Sequence, residues 1–569
     1  MSEVRTIDGF GNNLENPTWG KANEKLLRNT PAAYEGLSGP SGSDRPNPKS
    51  ISDIVCTQEK SIKNDRDLSD YMWAWGQFLD HELDLSPEEL NEELPIPLPD
   101  GGHIDFARSI YDRTTGTSLD NPREQVNVIS SFIDAGNVYG TNVARAAALR
   151  AFDGNGKLKE DNGFLPRNPG GLPNAPSSSP HFFVGGDIRV NEHVVLACMH
   201  TLFVREHNRL CDELKKDPRF IPDEKPSMHS YKKASGKGQL DEQIYQHARR
   251  IVSGIMQVIT YKEFLPALLG KEGIRPYSGY NQFVNPTICN EFSTVAYRVG
   301  HSMLSPEVQR TGIGAIKFEK TFFQPHLVTQ YGIDPYLAGA ATQRMQKIDA
   351  KAINAIRLEL FTMADTPKGV PPITPLIDLA ALNLQRGRDH GLPDYNTCRK
   401  AYGLARKDSF SDITSDKETQ RRLKKAYKDN MDHIDPWIGG LAEDHHHDAV
   451  VGEFFFHVLK DQFERIRDGD RFWYENDLCL TDEEREDIRE TTLVIVIERN
   501  TNVRNLQKNV FIVGAEPKII GQPPTLPPSS GSSGPTPKKK KSSKRKKVTK
   551  SASKKKSAKK STRKRSSRR

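Results

Sequence analysis

The ten residues WGQFLDHELD (75–84) restrict this chain more than any other stretch of it. Gln77, Asp80 and His81 stand at i, i+3 and i+4, so the spacing predicts a helix carrying all three on one face. An amide, a carboxylate and an imidazole on one side of an apolar helix suit chemistry on a small polar molecule. Taken alone, the same residues also describe a polar helix edge with one satisfied histidine, because short motifs match by accident.

What separates the two readings is the company further along. NPREQVNVISSFIDAGNVYG (121–140), GGDIRVNEHVVLACMHTLFVREHNRL (185–210), EFSTVAYRVGHSMLSP (291–306), ALNLQRGRDHGLPDYN (381–396) and RDGDRFWYEN (467–476) follow in order. WGQFLDHELD resembles the distal-histidine motif of the animal-type haem peroxidases, the myeloperoxidase- and peroxidasin-like branch of the peroxidase–cyclooxygenase superfamily. The five later segments resemble that family's calcium loop, distal-arginine helix, proximal-ligand helix and two further landmarks. The likeness spans nearly everything from roughly residue 10 to residue 515.

The fold class expected is therefore mainly α. One large haem-peroxidase domain with few short strands is expected over residues 1–520. A Pro/Gly/Ser linker follows at 521–537 and a disordered Lys/Arg-rich tail at 538–569. Residues 168–180 and 366–373 read as loops. Leu196, Met199, Leu202 and Phe203 recur at three- and four-residue steps and mark a buried helix face. His200 and His207 share a face there and read as structural or haem-pocket supports. Six cysteines lie scattered without a CxxC pair, a usage compatible with a reducing compartment. No apolar run approaches the roughly 18 residues of a membrane helix, and the amino terminus has no signal-peptide pattern, so classical secretion is not expected. The compartment and the oligomeric state stay open.

The resemblance assigns roles residue by residue. His301, in RVGHSML, matches the proximal ligand of the haem iron, and Asn383 matches the asparagine that holds its other ring nitrogen. His81 matches the distal histidine that takes a peroxide proton and returns it to the departing oxygen. Arg189 matches the distal arginine that stabilises charge developing there. Gln77 matches the residue that positions distal water and halide. Arg298 and Arg386 match partners of the haem propionates. Asp80 and Glu192 match the two carboxylates that esterify the haem b methyl groups, so a covalently attached haem is expected. Position 193 is His where myeloperoxidase-like members place a methionine, so the third, sulfonium link cannot form. That favours bromide, iodide and thiocyanate over chloride. Calcium is expected from Glu82, Ser130, the Phe132 carbonyl, Asp134 and Gly136, although Glu82 replaces the usual Asp and Gly136 a hydroxyl ligand. The run Glu443–Asp448 offers transition-metal donors but reads as a polar loop.

Three functions follow. The first is a peroxidase that reduces hydrogen peroxide and oxidises small anions or aromatic donors through compound I. The second is a fatty-acid dioxygenase of the cyclooxygenase-like branch. That branch needs a tyrosine three residues before the proximal histidine; Arg298 stands there, and Tyr297 is one residue out of step. The third is a catalytically silent scaffold, against which the complete set of haem-site residues weighs. Residues 538–569 carry 19 Lys or Arg and no acid. The rest of the chain keeps 63 basic residues against 74 acidic ones, so the net +8 belongs to the tail. Such a run attaches to polyanions without reading sequence, and KKKKSSKRKK would also pass as a nuclear localisation signal in a eukaryote.

Overall fold

Helix α1 (Tyr71–Leu83) is buried all round except at Gly76, Gln77 and Asp80. A surface helix keeps a broad polar face; this one has a single accessible stripe, set in the interior. The computed structural model describes residues 3–217, 219, 237–359 and 377–521. Among these, helices dominate and the strands pair only two by two, the longest being Glu88–Glu93. The expected loop at 366–373, the tail and all of the linker but Gly521 lie outside the described residues. The chain divides into two units, Met1–Pro524 and Thr525–Arg569, of which only the first contains described residues.

The helices that build the site are α1, α2 (Val194–Leu214), α3 (Lys237–Ile259), α4 (Gly300–Met303), α5 (Leu379–Asp389) and α6 (Glu453–Asp468). α2 begins where the His193 side chain accepts the Leu196 N–H, satisfying one of the free donors of the first turn. Its Leu196, Met199, Leu202 and Phe203 are fully buried, as their spacing predicts. Phe203 stacks on Phe78 of α1 at 5.2 Å, and Trp75 lies 5.8 Å from Phe203. Truncating any of these rings to alanine would cost about 3–5 kcal/mol. α5 starts at Asp378, whose buried carboxylate accepts Ala380 and Ala381 N–H and the Ser52 hydroxyl.

His207 is held by the Tyr139 hydroxyl (2.8 Å) and the Gly156 carbonyl (2.9 Å), a structural role. His200, equally buried, packs edge-on to Phe78, and neither of its ring nitrogens is hydrogen-bonded. All six cysteines are free thiols, five of them buried. Among the described residues no helix is long and apolar enough to cross a membrane, and no cluster of three or more His, Cys, Asp or Glu is arranged to hold a metal. Glu443 instead accepts bonds from Tyr395, Arg399 and the Phe454 N–H.

Candidate active site

The stripe on α1 faces a cleft that the neighbouring elements line with polar groups. Gln77 is oriented from outside. Because His193 Nδ1 accepts from Leu196, its proton sits on Nε2, which donates to Gln77 Oε1 at 2.7 Å. The amide is thereby turned to give its nitrogen to Glu192 Oε2 at 2.8 Å. His81 lies beside this pair, with Nε2 3.6 Å from Glu192 and Nδ1 3.7 Å from Asp187. Both separations are too long for a hydrogen bond, and Nδ1 has no partner. Burial, then the Arg189 cation, holds the His81 imidazole well below its ordinary range, so it is neutral.

Arg189 is pinned by Asp187, which accepts Nε and Nη2 at 2.9 Å each, while Nη2 also donates to the Asp84 carbonyl. Nη1 is left 3.7 Å from Asp80. The Arg189 guanidinium keeps the Asp187 carboxyl well below the usual range in spite of its burial. Asp80 and Glu192 behave oppositely: burial pushes both carboxyls up to about 7. Their side chains are nevertheless 31% and 27% accessible. Both carboxyls thus open onto a recess beside α1.

A short 3-10 turn (Ala296–Val299) carries Arg298 and runs into α4, which carries His301. Asn383 of α5 lies between them: its nitrogen is 2.7 Å from His301 Nδ1, and its oxygen accepts from Arg298 Nη1 at 2.9 Å. The expected pair therefore forms with the amide reversed, because Arg298 claims the oxygen. For His301 to donate through Nδ1, as an iron ligand does, the amide has to turn over. Burial, then Arg386, lowers Arg298 to about 10.

Arg386 is committed elsewhere: it donates to the Ala107 carbonyl, the Ser109 hydroxyl and Asp389, and pairs with Glu88 at 3.2 Å. Behind α1, Glu82 accepts the N–H groups of Asp134 (2.6 Å) and Asn137 (2.8 Å). Asp134 accepts the Ser130 hydroxyl and the Gly136 N–H, each at 3.1 Å. Burial raises both carboxyls, and among the described residues neither is ion-paired. A Cβ at Gly136 would lie 2.9 Å from the Thr141 methyl and 3.2 Å from Asp134 Oδ1, so a side chain there would have to displace Thr141.

The model of the animal haem peroxidase family matches residues 4–511. The chain is a member of that family. It is 34% identical to peroxinectin A of Dictyostelium discoideum over 90% of this chain and 96% of the relative. It is 31% identical to rat thyroid peroxidase over 91% of its own length but only 62% of that protein, so it spans less than two thirds of several relatives it matches. Among solved structures, peroxidase A of D. discoideum superposes with a TM-score of 0.79 at 31% identity, covering 90% of this chain and all of the other. The fatty-acid α-dioxygenase of Arabidopsis thaliana (TM-score 0.73, 20% identity, 92% and 85% covered) shares the fold.

Membership of the family implies haem. The residues present fit that group. Unpartnered His81 Nδ1, two accessible but desolvated carboxyls and a histidine with a polar second partner converge on one cleft. Asp187 was not visible as a functional residue in the sequence, although its D-x-R spacing to Arg189 is the signal that points to it. His193 was recognised only by the methionine it displaces; its place just before an apolar helical run marks it as a cap.

Proposed function

We propose that the chain uses His81, Arg189 and Gln77 to break hydrogen peroxide and to oxidise bromide, iodide or thiocyanate, or aromatic donors one electron at a time. The observation that carries the reading is a neutral His81 beside a guanidinium pinned by Asp187. His301 is the residue that would hold haem, and the bound group would supply the redox chemistry for peroxide reduction. His81 Nε2 faces the cleft and takes the peroxide proton, then returns it to the departing oxygen; Nδ1 keeps its own proton toward Asp187. Arg189 Nη1 balances the charge gathering on that oxygen. Gln77, locked by His193, presents its amide nitrogen to the anion or water between these groups. Arg298 would be the guanidinium to meet a propionate; Arg386 would have to leave Glu88 first.

The test is stopped-flow mixing of haem-loaded protein with peroxide, then bromide. Peroxide should change the Soret band within the dead time or shortly after, and bromide should restore it. His81→Ala should slow the first phase about 10²–10⁴-fold with haem retained. An unchanged first phase in that variant would falsify the assignment.

Asp80 and Glu192, whose carboxyls burial pushes up to about 7, are the residues that would form ester links to haem. Asp80→Val with Glu192→Gln should make the haem extractable by acid acetone; full retention would rule the links out. Glu82, Ser130, Phe132, Asp134 and Gly136 supply two buried carboxyls with no direct ion pair among the described residues, a set of oxygens that suits calcium. Metal analysis of purified protein should find about one calcium per chain, and none after Asp134→Ala. The dioxygenase reading is disfavoured by Tyr297, whose ring lies stacked on Phe292 at 4.6 Å.

A further inference from the structure

His193 caps a helix and orients an amide of the cleft with the same ring. It stands at the head of α2, 1% exposed, among the Trp73, Phe318 and Phe322 rings, whose centroids lie 5.5, 5.7 and 5.9 Å away. Burial lowers this imidazole to about 3, so at neutral pH it carries a single ring proton. The Leu196 N–H, 3.1 Å from Nδ1, needs a lone pair there and so decides where that proton sits. It sits on Nε2, which gives it to Gln77 Oε1 at 2.7 Å. Trp73 and Gln77 stand four apart on α1, so the helix that carries the amide also walls the imidazole in.

A primary amide has a donor end and an acceptor end, and an unheld one presents either. Here the acceptor end is committed to His193. The Gln77 nitrogen therefore turns to Glu192 and gives one proton to Oε2 at 2.8 Å; among the described residues its second proton has no acceptor. Gln77 is one of the three positions of α1 that are not buried, with Gly76 and Asp80. Its nitrogen shares the cleft with the partly accessible Glu192 carboxyl and with Arg189 Nη1, which stands 3.7 Å from Asp80. An anion entering there meets two N–H donors. A hydroxyl proton finds no acceptor on Gln77.

We propose that His193 is the positioning residue that makes the cleft selective for small anions: by holding Gln77 Oε1 it keeps an N–H, and not the carbonyl, turned toward a halide or thiocyanate. The proposal rests on the halide reading above and deepens it. Without the lock the amide turns over and Oε1 faces the cleft. Its partial negative charge then opposes an anion, while it accepts a hydrogen bond from water or a phenol. The methionine that myeloperoxidase-like members place at this position has no proton to give, so the device belongs to the histidine. The cap and the lock are one arrangement, because the backbone N–H that starts α2 is what fixes the ring's tautomer.

Two variants separate the lock from the cap. His193→Asn keeps an oxygen for the Leu196 N–H but is too short to reach Gln77. His193→Gln is long enough to give Gln77 an amide proton. The probe is sodium bromide, titrated into resting haem-loaded protein by its effect on the Soret band and then supplied as donor after peroxide. His193→Asn should weaken bromide binding and raise KM roughly tenfold at unchanged kcat, with the melting temperature of wild type. His193→Gln should bring binding and KM back toward wild type. Nitrogen NMR of histidine-labelled full-length protein should show the His193 ring protonated at Nε2, its signals assigned by their loss in His193→Gln. A ring protonated at Nδ1 overturns the lock, and so does equal bromide binding in wild type and His193→Asn. Equally weak binding in both variants also overturns it, since that marks a packing role that an amide proton does not rescue. Wild-type protein that binds no bromide refutes the selectivity outright. Wild-type protein that binds bromide but does not oxidise it after peroxide refutes the halide reading alone.

Discussion

Asp187 has no bond to any reacting group, yet the chemistry of two residues depends on it. It holds the Arg189 fork through two oxygens and stands 3.7 Å from His81 Nδ1. Asp187→Asn keeps the shape but removes the charge and one acceptor, so Arg189 loses its bidentate clamp and Nη1 is drawn to Asp80, 3.7 Å away. The peroxide step should slow roughly 10–100-fold, less than on losing a positioned donor outright, which costs about 10²–10³. Stopped-flow rates of Asp187→Asn and Arg189→Ala decide it: equal rates in Asp187→Asn and wild type would leave Asp187 with a purely structural role. Spacing put His81, Asp80 and Gln77 on one helix face, because a helix maps i, i+3 and i+4 together, and the resemblance carried by the later segments gave them their roles. Asp187 was not legible, since its importance depends on a side-chain conformation of Arg189 that no pattern encodes.

At the scale of elements, α1 is anchored by a carboxyl at its head. Asp70, 1% exposed, accepts the Ser305 hydroxyl at 2.7 Å, and burial pushes its carboxyl to about 7. Its unfolded value is the ordinary one, near ~3.9. Between these values the native chain keeps a proton that the unfolded chain has shed. The stability it contributes is therefore fully present below about pH 4 and is lost as pH rises through about 7. Between pH 6 and 8 the wild-type protein should lose about 1.4 kcal/mol on this account. Asp70→Asn should lose correspondingly less, measured by denaturant unfolding at both pH values. Equal losses would show that Asp70 does not titrate there. Element types were readable where one face repeats, as in α2. The partner of Arg386 was not: Glu88 lies on a strand 298 positions away, and only the folded chain brings it beside α5. The reversed Asn383 amide is equally a product of the fold, because Arg298 competes with His301 for one oxygen.

For the whole molecule the governing quantity is charge. Residues 1–537 carry 63 basic and 74 acidic side chains, whereas residues 538–569 add 19 basic ones and no acid. A body near −11 repels a polyanion, so any retention on DNA or heparin has to come through the last 32 residues. Binding that releases condensed counterions weakens with salt, with a slope of about −0.9 per phosphate neutralised. Full-length protein should therefore bind a DNA or heparin column in low salt and elute steeply as salt rises, regardless of DNA sequence. Protein ending at Pro537 should pass through, with peroxide turnover intact because every residue assigned to the site lies before position 387. Equal retention of both forms would place the attachment on the body and leave the basic run without a partner. Loss of turnover together with retention would instead mean that the run acts on the cleft, which the charge argument does not allow.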